Sequence, residues 1–98
     1  MAKFFVPNVF SPDDNGANDF FFPLSGKNIR HVRYFRIFNR WGEQVFENKN
    51  FQPNNEQDGW DGRHNGNRAK EDVYVWVMEI ELLNGLIEQF KGDVTLLR

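Results

Sequence analysis

The clearest pattern in this chain is the alternation of side chains from Val73 to Leu82. Tyr74, Trp76, Met78, Ile80 and Leu82 fall on one face, and Val73, Val75, Val77, Glu79 and Glu81 fall on the other. A period of two predicts a strand with one face turned to a core. Asn84-Gly85 follows and signals a tight hairpin into a second strand, Ile87–Arg98. A plain two-residue loop would set Glu81 opposite Glu88 and Ile80 opposite Gln89. Moving the pairing by one residue, through a bulge or a three-residue loop, gives Ile80–Phe90, Trp76–Val94 and Tyr74–Leu96, with Glu79 opposite Lys91. A one-residue slip turns every side chain to the other face, so burial predicts the moved register.

The rest of the chain reads as short extended runs broken by Gly, Asn, Asp and Pro, with no amphipathic helix. Phe4 to Phe10 is extended, and Pro7 confines it to an edge or a bend. Ser11 to Asp19 is a loop, Phe20 to Leu24 resumes extended structure, and Ser25-Gly-Lys-Asn28 turns into a strand over Arg30–Asn39. Arg40-Trp41-Gly42 suits a three-residue hairpin loop with Gly42 in the left-handed position. That return sets Ile37 opposite Val45 and Arg36 opposite Phe46, so one face is apolar and the other carries an Arg–aromatic contact. From Lys49 to Arg68 the chain is a long polar loop with room for one short strand, with Phe51 and Trp60 its sizeable apolar groups and Trp60 pinning it to the core. Strands joined by turns without helices predict an all-β, antiparallel, immunoglobulin-like sandwich of about seven strands.

Composition narrows this further. Ninety-eight residues make one domain, able to bury roughly 60–70% of its unfolded surface. Eleven Phe, three Trp and two Tyr make the core aromatic, and with no Cys that packing works without disulfides. A formal charge of −2 gives no general attraction to nucleic acid or anionic membrane. No apolar run approaches the ~18–20 residues of a membrane span. Met1-Ala-Lys3 precedes no hydrophobic region, so we read residues 1–3 as an added start on a piece of a longer protein.

Candidate chemistry is sparse. Asp13, Asn15, Asn18 and Asp19 surround Gly16 and place four oxygen-bearing side chains in seven residues, as a hard cation such as calcium requires. Gly16 is fourth from Asp13 and no bidentate Glu follows, unlike a calcium-binding EF-hand loop, so an Asx-turn loop stands beside the calcium reading. No other cofactor is implied. Asp58, Asp61 and His64 lack a second His or a Cys at ligand spacing. Two histidines and no cysteine give no nucleophile–base set, and no Gly-Lys-Ser/Thr marks a phosphate loop, so no enzyme is expected. Arg30, Arg33, Arg36 and Arg40, with His31 and Tyr34, form a basic-aromatic strand. Arg30 and Arg36 are placed on the face of Tyr34 and Arg33 on the opposite one. Arg stems covering aromatic rings explain this strand without nucleic acid, and a face that docks a partner protein stands beside that reading. Trp41, Trp60 and Trp76 are expected to be buried anchors, and a surface pair of Trp41 and Trp60 would instead favour a carbohydrate-binding or adhesive module.

Four blocks occur in order along the chain: Pro7-Asn-Val-Phe-Ser-Pro-Asp-Asp-Asn-Gly-Ala-Asn-Asp-Phe20, Ile37-Phe-Asn-Arg-Trp-Gly42, Gly59-Trp-Asp-Gly62 and Gly92-Asp-Val-Thr-Leu-Leu-Arg98. Together they resemble the type B C-terminal sorting domain of Bacteroidota, also called the gliding-motility-associated C-terminal domain, which the type IX secretion system reads. The residues carrying the likeness are Pro7, Asn8, Phe10, Pro12, Asn18, Asp19, Asn39, Trp41, Gly42, Trp60, Asp61, Gly62 and Tyr74. The family usually reads Pro-Asn-Gly-Asp-Gly where this chain has Pro12-Asp-Asp-Asn-Gly16, and more often carries Gly near Asp72. The resemblance implies one sorting domain over residues 1–98 with the same sandwich fold. It implies recognition by the type IX translocon or outer-membrane shuttle proteins, an upstream passenger, and export through the periplasm and outer membrane to the cell surface or beyond. It makes the terminal run part of the export signal, so Lys91, Gly92, Val94, Leu96, Leu97 and Arg98 become the candidate recognition residues. Leu97 and Arg98 are expected to project from the fold, available to a partner and dispensable for stability.

Overall fold

The alternating run becomes the centre of the molecule. A computed structural model describes residues 4–12, 19–26 and 28–98. Its strands are β1 (Phe4–Phe5), β2 (Val9–Phe10), β3 (Leu24–Ser25), β4 (Ile29–Phe38), β5 (Gln44–Phe51), β6 (Arg63–His64), β7 (Asn67–Arg68), β8 (Asp72–Leu82) and β9 (Ile87–Leu96). Among the described residues the only helical element is a 3-10 turn, Glu56–Asp58. Five strands form the main sheet in the order β2-β9-β8-β4-β5, while β1–β3 and β6–β7 are separate two-stranded ribbons. The expected all-β, sandwich-like architecture is present. One ladder departs from antiparallel pairing, since β2 runs parallel to β9.

The inner face of β8 is the predicted one: Tyr74, Trp76, Met78, Ile80 and Leu82 are all buried, while Val73 and Val75 are exposed. Covering that face are short strands and loops. Phe21 and Trp60 exchange backbone hydrogen bonds of 2.8 and 2.9 Å, and the Asn54 amide donates to the Pro23 carbonyl at 2.9 Å. Phe21 and Trp60 bring their rings to the sheet: Phe21 lies 5.5 Å from Phe35, and Trp60 lies 5.5 Å from Phe10 and 5.0 Å from Tyr74. Residues 49–68 therefore hold more strand than the one short segment expected, continuing β5 to Phe51 and supplying the β6–β7 ribbon.

Both long hairpins close with the same three-residue turn. The Asn39 amide donates to the Glu43 carbonyl and the Gly42 amide to the Asn39 carbonyl; Leu82, Leu86 and Gly85 repeat this arrangement. Gly42 and Gly85 have φ of +80° and +90°, the left-handed positions this turn needs. Past the turns, both expected registers are corrected. In β8–β9, Met78 faces Phe90, Trp76 faces Gly92, Tyr74 faces Val94 and Ile80 faces Glu88. This is two residues from the predicted pairing, so the inward set is unchanged. The physical reason lies at Gly92, where a Cβ would come 2.8 Å from the Trp76 ring. The indole requires a residue without a side chain opposite it, whereas the predicted register would have offered Val94. Gly92 thus makes room for a ring, with no bulge at that point of the ladder.

In β4–β5, Phe38 faces Gln44 but Ile37 faces Phe46, so Val45 is an extra residue in the ladder. The bulge lets both Val45 and Phe46 pack inward, with Phe46 edge-on to Phe35 at 6.1 Å. Arg36 consequently faces Glu47 rather than Phe46. Two further irregularities lie in β4 against β8, between Ile29 and His31 and between Val32 and Tyr34. They make Arg30 and Arg33 the extra residues and keep Ile29, Val32, Phe35 and Ile37 all buried. Arg33 therefore joins Arg30 and Arg36 on the outer face, contrary to the simple alternation. Gly92→Ala should lower stability by about 1–3 kcal/mol, read as a fall in melting temperature, and adding Trp76→Phe should recover part of the loss.

Candidate functional site

The terminal run is mostly core. Val94 and Leu96 have no exposed surface and Gly92 lies under Trp76, whereas Lys91 and Leu97 are exposed. Of the six residues expected to meet a partner, three are thus inside the fold. Arg98 corrects the expectation most sharply. Its guanidinium donates to the Pro12 carbonyl at 3.1 Å, the Gly62 carbonyl at 2.8 Å and the Ala69 carbonyl at 2.9 Å. Its amide also reaches the Glu71 carboxylate at 3.3 Å. A guanidinium presents five donors in a rigid fork, which suits carbonyls arriving from three directions. Arg98 is exposed, yet it clamps distant segments together and is tied into the fold by these bonds.

Three of the sequence blocks meet at this clamp. Trp60 is buried, and its indole N–H donates to the Arg63 carbonyl at 2.9 Å. The Asp61 carboxylate accepts the Arg63 amide at 3.0 Å and turns the chain toward β6. Gly62 has φ of +80° and sits where a Cβ would fall 2.6 Å from the Pro12 ring, so only glycine lets the two blocks touch. Phe10 and buried Pro12 supply the opposite side, next to Asn8, whose carbonyl accepts the Thr95 amide at 2.9 Å. Pro7 is half-buried just ahead of β2. The Tyr74 hydroxyl donates to the Lys70 carbonyl at 2.7 Å. Burial, and after it the Asp72 carboxylate, pushes the Tyr74 phenol above its ordinary value, while Arg98 opposes the shift.

The tryptophans separate. Trp60 and Trp76 are buried as expected, but Trp41 is 80% exposed. The Asn39 carboxamide oxygen accepts the Trp41 and Glu43 amides at 3.0 and 2.9 Å, and its NH2 donates to the Glu43 carboxylate at 2.8 Å. Beside Trp41 opens a cleft of about 320 Å³, walled by the hairpin on one side and by residues between His64 and Tyr74 on the other. With Trp60 buried, the surface pair that would favour a glycan platform is not formed.

The basic strand is neutralised on the spot. Arg30 pairs with Glu81 at 3.3 Å, Arg33 with Glu79 at 3.2 Å, Arg36 with Glu47 at 2.6 Å and Arg40 with Asp72 at 3.2 Å. Arg36 also lies over the Tyr34 ring at 4.2 Å, so the expected Arg–aromatic contact forms within β4. Its hydrogen bond is the main cause that holds the Glu47 carboxyl below the usual carboxylate range. Exposed pairs of this kind contribute less than about 1 kcal/mol each, but they leave this face no surplus of positive charge.

Of the candidate metal ligands, Asp13, Asn15 and Asn18 lie outside the described residues, and Asp19 lines a groove with Phe10, Phe20 and Phe22. Among the described residues no three His, Cys, Asp or Glu side chains gather as a metal site. His31 lies 3.8 Å from Glu81, far from His64 in the cleft wall. Sequence reasoning missed that wall, although Asn65-Gly66 offered a hairpin signal of the same kind as Asn84-Gly85.

A domain with this fold, three of its four signature blocks gathered at one clamp and an indole at one tip, belongs to the class of small β-sandwich modules. Residues 4–96 match the CHU_C type IX secretion signal domain, and the chain belongs to that family. A comparison with curated proteins gives no match. Among solved structures, the chain is similar to CopC from Methylosinus trichosporium OB3b, with a TM-score of 0.63 and 12% identity over 98% of this chain and 93% of that one. At that identity the likeness shows the fold alone.

Two measurements check these assignments. Trp60→Ala should cost about 3–5 kcal/mol and Arg98→Ala about 2 kcal/mol, whereas Trp41→Ala should stay within about 0.5 kcal/mol; chemical denaturation reads all three. The Tyr74 phenol is raised on folding, so its contribution is full below the unfolded value of about 10 and is lost as pH rises through the folded value. Tyr74→Phe should therefore be less stable than wild type at neutral pH, and the gap between their melting temperatures should narrow above about pH 10.

Proposed function

We propose that this domain is a C-terminal sorting signal that the type IX machinery reads as a folded surface, carrying an upstream passenger across the outer membrane to the cell surface or the medium. The observation that carries this reading is the family match over residues 4–96. The structure supports it by showing what the signature residues do: most of them build one junction, closed by Arg98, instead of lining a pocket. On this reading the signal is a shape that exists only once the chain has folded. The domain makes and breaks no bond itself, and it needs no cofactor for recognition. Calcium at Asp13, Asn15, Asn18 and Asp19 would act on stability alone, and chelation would then lower the melting temperature.

The test fuses the domain, behind a fluorescent reporter with a signal peptide, in a host that has type IX secretion. The intact domain should bring the reporter to the cell surface or medium. Removal of 91–98 should strand it in the periplasm, with the shortened domain unfolded. Intact domain retained in the periplasm would sink the reading. Deleting only Leu97 and Arg98 should also lower the melting temperature, because the clamp goes with them.

A further inference from the structure

We propose that the cleft beside Trp41 docks an extended, carboxylate-bearing protein segment of the export machinery, an inference that rests on the sorting role proposed above. An indole left 80% exposed adds little to stability in a solvated turn but is valuable at an interface, where aromatic rings are among the strongest single anchors. The ring sits on a turn already fixed by three Asn39 side-chain hydrogen bonds. Little ordering is left to lose on docking, which favours a tight complex.

Charge chooses the occupant. The arginines of the outer sheet face each hold a carboxylate, Arg40 at the cleft holds Asp72, and Glu43 is engaged by Asn39. Arg68 and Lys70 line the same cleft, and neither has an ion pair among the described residues. Asn39 is neutral and leaves the Glu43 charge in place, so the lining sets Arg40, Arg68 and Lys70 against Glu43 and Asp72, a surplus of one positive charge inside a domain whose formal charge is −2. An anionic segment gains here what a neutral or basic one does not. The wall carrying these cations is held by its backbone. The Ala69 amide donates to the Gly62 carbonyl at 2.8 Å, the Lys70 carbonyl accepts Tyr74, and the Ala69 carbonyl accepts Arg98. The spacing between ring and cations is thus set before any partner arrives.

The experiment compares export of the reporter fusion for the intact domain, Trp41→Ala, Arg68→Glu with Lys70→Glu, and Arg68→Lys with Lys70→Arg, all in one host. Melting of each purified domain is measured alongside. Trp41→Ala and the charge reversal should each lower the export rate at least tenfold with unchanged melting, while the charge-preserving pair should export within twofold of the intact domain. Full export by the folded Trp41→Ala variant overturns the proposal, and so does full export by the charge reversal. Soluble laminarin is titrated against the Trp fluorescence of the intact domain; a response lost in Trp41→Ala would make a glycan the occupant and also overturn it. If the intact domain itself fails to export, the sorting role falls first, so the two failures are told apart.

Discussion

The structure depends on one docked ring. Trp60 carries the least regular stretch of the chain onto the sheet, with its ring tilted against Phe10, in a T-shaped contact with Tyr74, and its N–H spent on Arg63. Its backbone pairs with Phe21, which brings a second segment down with it. Without that contact the inner face of β8 would lie open, since the strands that cover it are only two residues long. A five-stranded sheet with one bare face is not stable alone, and burial of large aromatic rings is the main force available to a cysteine-free domain of this size. The Arg98 clamp forms on the platform that Trp60 creates, because Gly62 is held in place by the same turn.

Irregularity in the sheet also has a consistent cause. The chain places apolar residues at 29, 32, 35 and 37, a spacing that no regular strand can bury. Two extra residues in β4 absorb the mismatch, and both are arginines. An extra residue in a ladder is left without a partner across the strand, and a long stem ending in a charge can lie over the outer face and find its own. Glu81 and Glu79 receive them. The Arg30–Glu81 and Arg33–Glu79 pairs therefore follow from how the core is packed, and with the Arg36–Glu47 and Arg40–Asp72 pairs the basic appearance of this strand in sequence disappears in three dimensions.

What was legible in the sequence was the part governed by local period. The inward face of β8, the two hairpins, the Gly42 turn and the anchoring role of Trp60 all follow from alternation or turn chemistry. Registers were not legible, because they hang on contacts such as that of Trp76 with Gly92, which alternation does not encode. Asn-Gly was read as a hairpin signal at 84–85, where the loop has three residues, and passed over at 65–66, where His64 and Asn67 face each other across a two-residue loop. Trp41 is expected inside and lies outside, since a turn indole reads the same whether it folds in or out. The role of Arg98 joins it to Pro12 across 86 residues of sequence, and no local pattern announces a contact of that range.

The parallel pairing of β2 with β9 has a mechanical meaning. The chain enters β2 at one end of this ladder and leaves β9 at the other, and the Thr95 and Leu97 amides bind the Asn8 and Phe10 carbonyls between them. Tension applied ahead of β2 while the end of β9 is held would load both bonds side by side, along the strands, and not open them one after the other. Arg98, gripping Pro12 just past β2, adds a third connection in the same direction. A domain pulled through β2 would therefore bear the load in shear, the orientation in which a short ladder resists longest.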